Sequence, residues 1–460
     1  MTTRIPGSFR DPSGFLFVRD GVVLRQVNSV YRKSYDLLMS SGFYDAAVER
    51  GLLISHEEID AGSAAGTAYK ILRPVQLDFV SYPYEWSFSQ LRDAAILTIE
   101  LQKLAIDHGM SLRDASAYNV QFHSGRAIFI DTLSFEAYEE GRPWVAYQQF
   151  CKHFLAPLAL MAYCHVELRR LLRVNIDGVP LDLAATLLPR KTLLRPSLLA
   201  HVHLHSRAQA KHADTRESAE RANTAKLSRS AFVGLVDTLG SAVERLEWTP
   251  SGTEWGDYYD DTNYSDDASE SKALLVGAMI DSVAPSQVWD LGANTGVYSR
   301  VASERGIPTV SFDIDPAAVE KNYRRVKKES EERILPLVMD LTNPSPGVGW
   351  ASAERSSLAE RGPVDLVMAL ALVHHLAISN NVPVVMIAEM LSSLAHHVLI
   401  EFVPKSDSQV KRLLATREDI FPDYHEAGFQ AAFSQHFSLI QSNAVEGSDR
   451  TLYLFGPLRS

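Results

Sequence analysis

Two glycines separated by three residues, Gly292 and Gly296, follow an acid at Asp290. Glycine lets the backbone turn sharply and approach a ligand closely, because it carries no Cβ atom. The segment after Gly296 has a helical pattern, and the start of a helix presents free N–H groups. A strand, a glycine turn and a helix in this order predict a ligand-binding turn. The G-x-G-x-x-G spacing of the dinucleotide fingerprint is absent.

Two further acids, Asp313 and Asp340, end the next two apolar segments of the chain. An acid about twenty residues past such glycines accepts hydrogen bonds from both hydroxyls of a ribose, as in dinucleotide folds. Each acid alone can equally be a helix N-cap or a turn residue. Three acidic strand ends in this order favour a single nucleoside site.

The segment from Gly292 to Gly296, Gly-Ala-Asn-Thr-Gly, resembles motif I of class I methyltransferases, which use S-adenosylmethionine (SAM) as methyl donor. The resemblance implies SAM as the cofactor, with Asp340 receiving the adenine amino group. It implies cofactor contacts for six residues: Asp290, Gly292, Asn294, Gly296, Asp313 and Asp340.

An aromatic and polar segment, 255–264, precedes the first strand of this half. SAM carries a sulfonium cation, and the faces of aromatic rings attract cations. We expect four side chains to cover the cofactor: Tyr258, Tyr259, Asn263 and Tyr264. The alternative is a surface helix that packs its aromatic residues onto the domain.

Three titratable residues are candidates for the acceptor side: His374, His375 and Glu401. Methyl transfer is an in-line displacement in which the enzyme mainly aligns donor and acceptor. A hydroxyl acceptor must also lose its proton, usually to His, Asp or Glu. The histidines come after the fourth predicted strand, which in this fold leads to the reactive methyl group. A structural or helix-capping role is the alternative for both histidines.

The residues at the ends of the third and fourth strands bear on the nature of the acceptor. The Asn/Asp-Pro-Pro-aromatic signature of nucleobase methylation is absent after the fourth strand, and Asn343-Pro-Ser-Pro346 comes after the third. Residues 255–455 resemble bacterial proteins labelled SAM-dependent methyltransferases or nodulation-type proteins, and the resemblance extends over the N-terminal half. It implies O-methylation of a glycan or small-molecule acceptor. A bifunctional kinase–methyltransferase and a noncatalytic SAM-binding regulator are the alternatives.

A second set of polar residues lies in the first half of the chain, at Asp114, Asn119 and Asp131. Their spacing resembles the catalytic loop and metal-binding Asp of protein kinases and aminoglycoside-type phosphotransferases. In those enzymes one Asp orients the acceptor hydroxyl, and an Asn and a second Asp hold magnesium. The resemblance implies a kinase-like α+β region, ATP as a further cofactor, and magnesium at Asn119 and Asp131.

The sequence departs from this phosphotransferase pattern. No His precedes Arg113, Phe-Gly is missing after Asp131, and neither a Gly-rich loop nor a Val-Ala-Ile-Lys strand is recognisable. Arg25 and Lys70 are candidates to replace the missing lysine. A degenerate lobe that binds substrate or a partner is therefore the alternative to an active enzyme.

The elements that must position these residues are indicated by the spacing of apolar residues. In residues 251–460, short β-branched segments alternate with helical ones, which predicts an α/β domain with a Rossmann-like, doubly wound sheet. Residues 1–180 predict an α+β domain. Residues 181–250 predict a helical extension and linker, with Ser206–Ser228 as an exposed helix or hinge.

Within residues 1–180, three local patterns are clear. Asp20-Gly21 lies between two apolar runs and predicts a hairpin. Ala68–Leu72 and Val75–Val80 predict two further strands. Apolar residues at helical spacing over Phe88–His108 predict a long helix that ends at Gly109.

Size and composition exclude several classes of protein. The 460 residues predict two or three domains, and the formal net charge of −11 disfavours a nucleic-acid partner. The two cysteines cannot form a disulfide framework, which predicts a reducing compartment. No signal peptide is recognisable, and no apolar stretch reaches the about 20 residues that span a bilayer. We therefore expect a soluble, cytoplasmic protein without membrane insertion.

Overall fold

A computed structural model describes most of the chain, namely residues 2–60, 68–206, 227–250, 266–415 and 417–458. The chain forms two compact units. The N-terminal unit contains Met1–Thr249 and Val348–Arg355, and the C-terminal unit contains Pro250–Gly347 and Ser356–Ser460. The predicted extension 181–250 thus belongs, up to Thr249, to the N-terminal unit.

Two predicted segments lie wholly or mostly outside the described residues. They are the aromatic cap, with Tyr258, Tyr259, Asn263 and Tyr264, and the exposed helix or hinge, Ser206–Ser228. Among the residues that are described, no helix is both long and apolar enough to cross a lipid bilayer.

Among its described residues, the N-terminal unit has nine strands: β1 (Thr2–Arg4), β2 (Gly14–Arg19), β3 (Val22–Asn28), β4 (His56–Ile59), β5 (Ala68–Pro74), β6 (Met110–Leu112), β7 (Val120–His123), β8 (Arg126–Phe129) and β9 (Phe135–Ala137). The first five form an antiparallel sheet in the order β1-β2-β3-β5-β4. The predicted hairpin joins β2 to β3, and Asp20 and Gly21 adopt the positive φ angles of 52° and 80° that a two-residue turn requires.

The helices of the N-terminal unit are α1 (Arg32–Ser40), α2 (Phe43–Glu49), α3 (Phe88–Asp107), α4 (Tyr147–Phe150), α5 (Ala156–Tyr163), α6 (Leu171–Val174), α7 (Leu181–Leu187), α8 (Pro196–Leu198) and α9 (Arg229–Glu244). The predicted long helix is α3. Its first turn is closed by a capping box, in which the Ser87 hydroxyl accepts from the Gln90 N–H and the Gln90 side chain accepts from the Ser87 N–H.

Two short antiparallel ladders come after α3 in the chain. Strand β6 pairs with β9, and β7 pairs with β8. The loop between β6 and β7 carries Asp114 and Asn119, and the loop between β8 and β9 carries Asp131. Because both loops leave adjacent short ladders, the structure places the three predicted phosphotransferase residues in one region.

In the part of the C-terminal unit that the structure describes, there are seven strands: β10 (Val288–Leu291), β11 (Thr309–Asp313), β12 (Ile334–Val338), β13 (Val364–Ala369), β14 (Ala395–Phe402), β15 (Phe437–Ala444) and β16 (Thr451–Pro457). They form one sheet in the order β12-β11-β10-β13-β14-β16-β15. Strands β10 to β14 are parallel, and β16 runs antiparallel to β14. The predicted Rossmann-like α/β sheet is confirmed.

The helices of the C-terminal unit are α10 (Asp266–Val283), α11 (Val297–Ser303), α12 (Pro316–Glu329), α13 (Val384–Leu394), α14 (Ser408–Leu414) and α15 (Glu426–Phe433). Apolar residues of α10 pack against the sheet, with Val276, Met279 and Ile280 in the same buried cluster as Val288 and Leu366. The strand order reverses between β10 and β13. In open parallel sheets, ligands bind at the carboxyl ends of the strands at this point.

Candidate cofactor and acceptor site

The glycine turn leads directly from the carboxyl end of β10. Gly292, Asn294 and Gly296 all have positive φ angles, of 75°, 51° and 77°. A Cβ atom on Gly292 would lie 3.1 Å from a methyl carbon of Leu372, and one on Gly296 would lie 2.5 Å from the amide nitrogen of Asn322. The turn therefore requires glycine at both positions, for its backbone conformation and for its close packing.

Asp313 connects the end of β11 to the glycine turn. Its Oδ2 accepts from the Asn294 N–H at 2.7 Å, and its Oδ1 accepts from the Asp315 N–H at 2.8 Å. Burial raises the pKa of Asp313 to about 6, although these backbone hydrogen bonds favour the ionised form. The structure thus places this predicted ribose-binding acid beside the glycines.

Asp290 lies beneath the turn, at the end of β10. Its Oδ2 accepts from the Ser299 hydroxyl at 2.6 Å, and the Ser311 hydroxyl donates to Ser299 at 2.7 Å. Burial raises the pKa of Asp290 to about 7, and the nearby charge of Asp313 acts in the same direction. Asp290 therefore connects β10 to α11, and its contact with the cofactor stays a prediction.

Asp340 comes just after β12, the next strand of the sheet. Its Oδ1 accepts from the Thr342 N–H at 2.9 Å and from the Thr342 hydroxyl at 2.6 Å. The side chain thus caps a turn, which is the alternative role given for this acid in the sequence analysis. Strands β10, β11 and β12 are adjacent and parallel, so their carboxyl ends bring Asp290, Asp313 and Asp340 to the same edge of the sheet.

The two histidines come after β13, and Leu372 in the same segment packs near Gly292. His374 is 1% exposed, and within the described part of the chain its Nδ1 has no hydrogen-bond partner. Burial lowers its pKa well below the usual value, and the positive charges of Arg450 and Lys272 add to this effect. Burial lowers the pKa of His375 to about 4. Both rings are therefore neutral at neutral pH.

Glu401, the third candidate, lies on β14 and is fully buried. Its Oε2 lies 2.7 Å from the Lys272 Nζ, and its Oε1 lies 3.9 Å from an Arg450 nitrogen. The Arg450 Nε in turn donates to Asp407 at 2.8 Å. A carboxylate held by two buried cations is a poor proton acceptor, so this geometry argues against Glu401 as the base.

Lys272 and Arg450 were not predicted from the sequence. Lys272 lies on α10 among polar residues, in a pattern typical of an exposed helical position, yet it is only 1% exposed. Its Nζ lies 4.4 Å from the ring centroid of Tyr298, which comes just after the glycine turn. Burial lowers the pKa of Lys272, whereas the charge of Glu401 opposes this shift. Only the tertiary structure brings these charges together.

In the N-terminal unit, Asp131 forms three contacts with neighbouring groups. Its Oδ1 lies 2.6 Å from an Arg25 guanidinium nitrogen and accepts from the Leu133 N–H at 3.0 Å, and its Oδ2 accepts from the Ser134 hydroxyl at 2.7 Å. Lys70, the other candidate for the missing lysine, instead pairs with Glu58. Arg25 is therefore the cation that faces the predicted metal-binding acid.

Asn119 and Asp114 belong to the same hydrogen-bonded group. The Asn119 amide donates to the Ser134 hydroxyl at 3.2 Å and to the backbone oxygen of Asp114 at 3.5 Å. Burial raises the pKa of the Asp114 carboxyl, and the charge of Asp131 acts in the same direction. The Ser134 hydroxyl thus bridges Asn119 and Asp131, the two predicted magnesium ligands.

This arrangement does not fit a bound magnesium ion. Magnesium requires direct oxygen ligands at about 2.0–2.1 Å in octahedral geometry, but a guanidinium and a serine hydroxyl occupy the oxygens of Asp131.

No protein-family model matches the chain. The chain is 34% identical over 458 residues to the nodulation protein NoeA of Rhizobium meliloti (strain 1021), and the match covers 98% of this chain and 96% of NoeA. The chain belongs to the NoeA family. The similarity covers both units, and it confirms the resemblance to nodulation-type proteins predicted from sequence.

Several solved structures are similar to part of the chain, with low sequence identities and low TM-scores. The bifunctional kinase-methyltransferase WbdD is 17% identical, with a TM-score of 0.29 over 46% of this chain and 45% of that chain. The N-methyltransferase NodS from Bradyrhizobium japonicum WM9 is 10% identical, with a TM-score of 0.30 over 42% and 99%. Magnesium protoporphyrin IX methyltransferase from Synechocystis PCC 6803 is 17% identical, with a TM-score of 0.31 over 45% and 93%. Similarity this low supports no conclusion about this chain.

The assignment of the C-terminal unit rests on its own features. Its sheet is doubly wound and parallel up to β14, the motif I glycine turn lies at the reversal of strand order, and acids end the three adjacent strands. The C-terminal unit therefore has the fold of class I SAM-dependent methyltransferases.

Proposed function

We propose that this member of the NoeA family transfers a methyl group from SAM to a hydroxyl oxygen of a glycan or small molecule. The observation that carries the proposal is the position of His374. This buried, neutral imidazole comes after β13, in a segment that packs against Gly292 of the glycine turn. The nodulation name of NoeA supports a role in nodulation, for which a hydroxyl-rich glycan is a suitable acceptor.

The donor side of the site has the groups that a nucleoside needs. Gly292 and Gly296 carry no side chain, so a ligand can approach the backbone of the turn closely. The Asp313 carboxylate is available for the ribose hydroxyls, and Asp340 for the adenine amino group. SAM, when bound there, supplies an electrophilic methyl group.

On the acceptor side, His374 is the proposed base. A neutral imidazole accepts a proton through its unprotonated nitrogen, and removal of that proton makes the acceptor oxygen nucleophilic. Burial and the nearby cations lower the pKa of His374, so this imidazole is a weaker base than an exposed histidine, and the proposal rests on its position. Glu401 is not proposed for this role because Lys272 already holds its carboxylate. His375 lies beside His374, with 4.1 Å between the ring centroids, and is the second candidate.

Donor binding is tested by calorimetry with S-adenosylhomocysteine, the demethylated product of SAM. We expect Asp313→Asn to weaken binding by about 10-fold or more, because a carboxylate that accepts two hydrogen bonds is replaced by a neutral amide. Asp365→Asn is the matched control, since Asp365 lies near the amino end of β13 and bonds to Ser286. Equal affinities for the two variants, or no heat with the wild type, would contradict the proposal.

Acceptor activation is tested by incubating labelled SAM with extracts of the source cells. His374→Asn should reduce methyl transfer by about 10²- to 10⁴-fold, because a positioned general base contributes on this order. Affinity for S-adenosylhomocysteine should not change. His397→Asn is the control, since His397 bonds to the backbone oxygen of Asp365, away from the glycine turn. Full turnover by His374→Asn would remove the base assignment, and a wild type that binds SAM but labels nothing would favour the regulator.

A further inference from the structure

The Arg25–Asp131 pair lies in the N-terminal unit, and Asp131 is the residue that the resemblance to phosphotransferases predicts as a magnesium ligand. We propose that the Arg25 guanidinium is the permanent counter-ion of Asp131, and that the N-terminal unit is a metal-independent lobe that transfers no phosphoryl group. This inference is independent of the methyltransferase function. It concerns only the residues around Asp131.

The first argument is the occupancy of the Asp131 carboxylate. Its Oδ1 contacts the Arg25 guanidinium and accepts from the Leu133 N–H, and its Oδ2 accepts from the Ser134 hydroxyl. The pair is mostly buried, with 13% and 15% of the two side chains exposed. Water therefore screens the attraction only weakly, and a metal ion at Oδ1 would have to displace the guanidinium.

The second argument is the identity of the cation. A catalytic lysine is a compact, mobile point charge, whereas an arginine guanidinium is planar, always protonated and suited to fixed pairing with a carboxylate. Arg25 lies on β3, within the antiparallel sheet, and β3 is paired on both sides by β2 and β5. The backbone of the cation is thus held in a rigid element.

The third argument is the position of Ser134. Its hydroxyl accepts from the Asn119 amide at 3.2 Å and donates to Asp131 at 2.7 Å. A metal held by Asn119 and Asp131 would have to lie between these two side chains, where the hydroxyl now stands. The loop therefore keeps the residue spacing of a phosphotransferase, but a hydrogen-bond chain replaces the metal.

The decisive test uses the full-length wild-type protein, titrated with MgCl2 and with magnesium and ATP at millimolar concentration. We expect the Tm values to shift by less than about 1 °C, since a ligand present well above its Kd would raise Tm by several degrees. Radiolabelled ATP should leave no phosphate on the protein or on extract components. A saturable, magnesium-dependent rise in Tm with ATP, or phosphate transfer, would overturn the proposal.

A double-mutant cycle tests the ion pair itself. Asp131→Asn and Arg25→Met should each lower the Tm of the N-terminal unit by several degrees. The decrease in Tm of the double variant should be clearly smaller than the sum of the two single decreases. The exposed pair Lys70–Glu58 is the control, and Lys70→Met with Glu58→Gln should show little coupling. Additive losses at Arg25 and Asp131 would contradict a permanent pair. If these variants fail to fold, the wild-type titration still decides the question.

Discussion

Lys272 and Glu401 form an ion pair that is almost completely removed from water. Removing one partner from such a pair leaves a buried charge without compensation, whereas replacing both with apolar groups is often nearly neutral. Because Glu401 lies on the strand that ends at the acceptor side, the pair stabilises the region that holds His374.

Lys272→Met should therefore destabilise the C-terminal unit by about 3–5 kcal/mol. The double variant Lys272→Met/Glu401→Leu should recover most of this loss, since Arg450 retains Asp407 as its partner. Urea denaturation of each variant measures both effects. A double variant that is less stable than Lys272→Met would contradict this account of the pair.

Asp290 and Asp313 are buried acids whose pKa values are raised to about 7 and about 6. These two carboxyls bind more protons in the folded protein than in the unfolded chain between about pH 4 and pH 7, so their contribution to stability falls as the pH rises. The buried histidines His374 and His375, whose pKa values are lowered, contribute in the opposite direction. The contribution of the acids is therefore isolated by comparing the wild type with a variant that lacks one of them.

Asp290→Asn removes the larger of these two contributions. The variant should be more stable than the wild type at pH 8, by about 1–3 kcal/mol, and this difference should shrink as the pH falls to 5.5. Thermal denaturation between pH 5.5 and pH 8 measures both differences. An unchanged pH dependence in the variant would show that the Asp290 carboxyl is not desolvated.

At the scale of elements, the glycine turn requires glycine for close packing as well as for its positive φ angles. Gly296 and Gly306 both have positive φ angles, of 77° and 81°. A Cβ atom on Gly306 would meet nothing within 4 Å, whereas one on Gly296 would meet Asn322 and Arg300. Asn322 is buried, and Glu331 holds Arg300 through two hydrogen bonds of 2.8 Å and 2.7 Å. Neither neighbour of Gly296 can move away easily.

Gly306→Ala should therefore cost about 1–2 kcal/mol, the usual penalty for a left-handed backbone at a residue with a Cβ atom. Gly296→Ala should cost at least about 1 kcal/mol more, because steric overlap is added. It should also weaken binding of S-adenosylhomocysteine, whereas Gly306→Ala should not. Urea denaturation and calorimetry give the two comparisons, and equal behaviour of the variants would refute the role of close packing.

The sequence predicts strands well where the local pattern of apolar residues coincides with a pairing partner in the folded protein. The parallel strands β10 to β14 were predicted from the alternation of β-branched and helical segments, because each is a short β-branched run that ends in a turn or an acid. Val75–Val80 shows the opposite case. It has an apolar alternation typical of a strand, yet it forms none, and the Gln76 side chain bonds to the backbone of Val23 instead. That prediction was wrong because the sequence does not show whether a pairing edge is available.

Local sequence patterns likewise reveal only some residues of the candidate site. The glycines and strand-end acids are recognisable because their spacing along the chain reflects the strand–turn–helix order. Lys272, Glu401 and Arg450 meet only after distant segments fold together, so no local spacing reveals their contact. Arg25 and Asp131 are likewise more than one hundred residues apart.

At the scale of the whole molecule, the boundaries of the units do not match the order of the chain. Residues Val348–Arg355 lie in sequence between β12 and β13, yet they belong to the N-terminal unit. Glu354 accepts two hydrogen bonds from Arg10, at 2.9 Å and 2.7 Å, and the Arg355 guanidinium lies 4.3 Å from the ring centroid of Tyr118. The N-terminal unit is therefore complete only when this short segment is present.

A gene fragment that stops after residue 249 would accordingly encode an incomplete first half. Arg10 would lose its carboxylate partner, and Tyr118 would be uncovered next to Asn119. During synthesis on the ribosome, these contacts form only after about one hundred residues beyond residue 249 have emerged. The two halves are therefore best expressed as one polypeptide, which keeps both contacts.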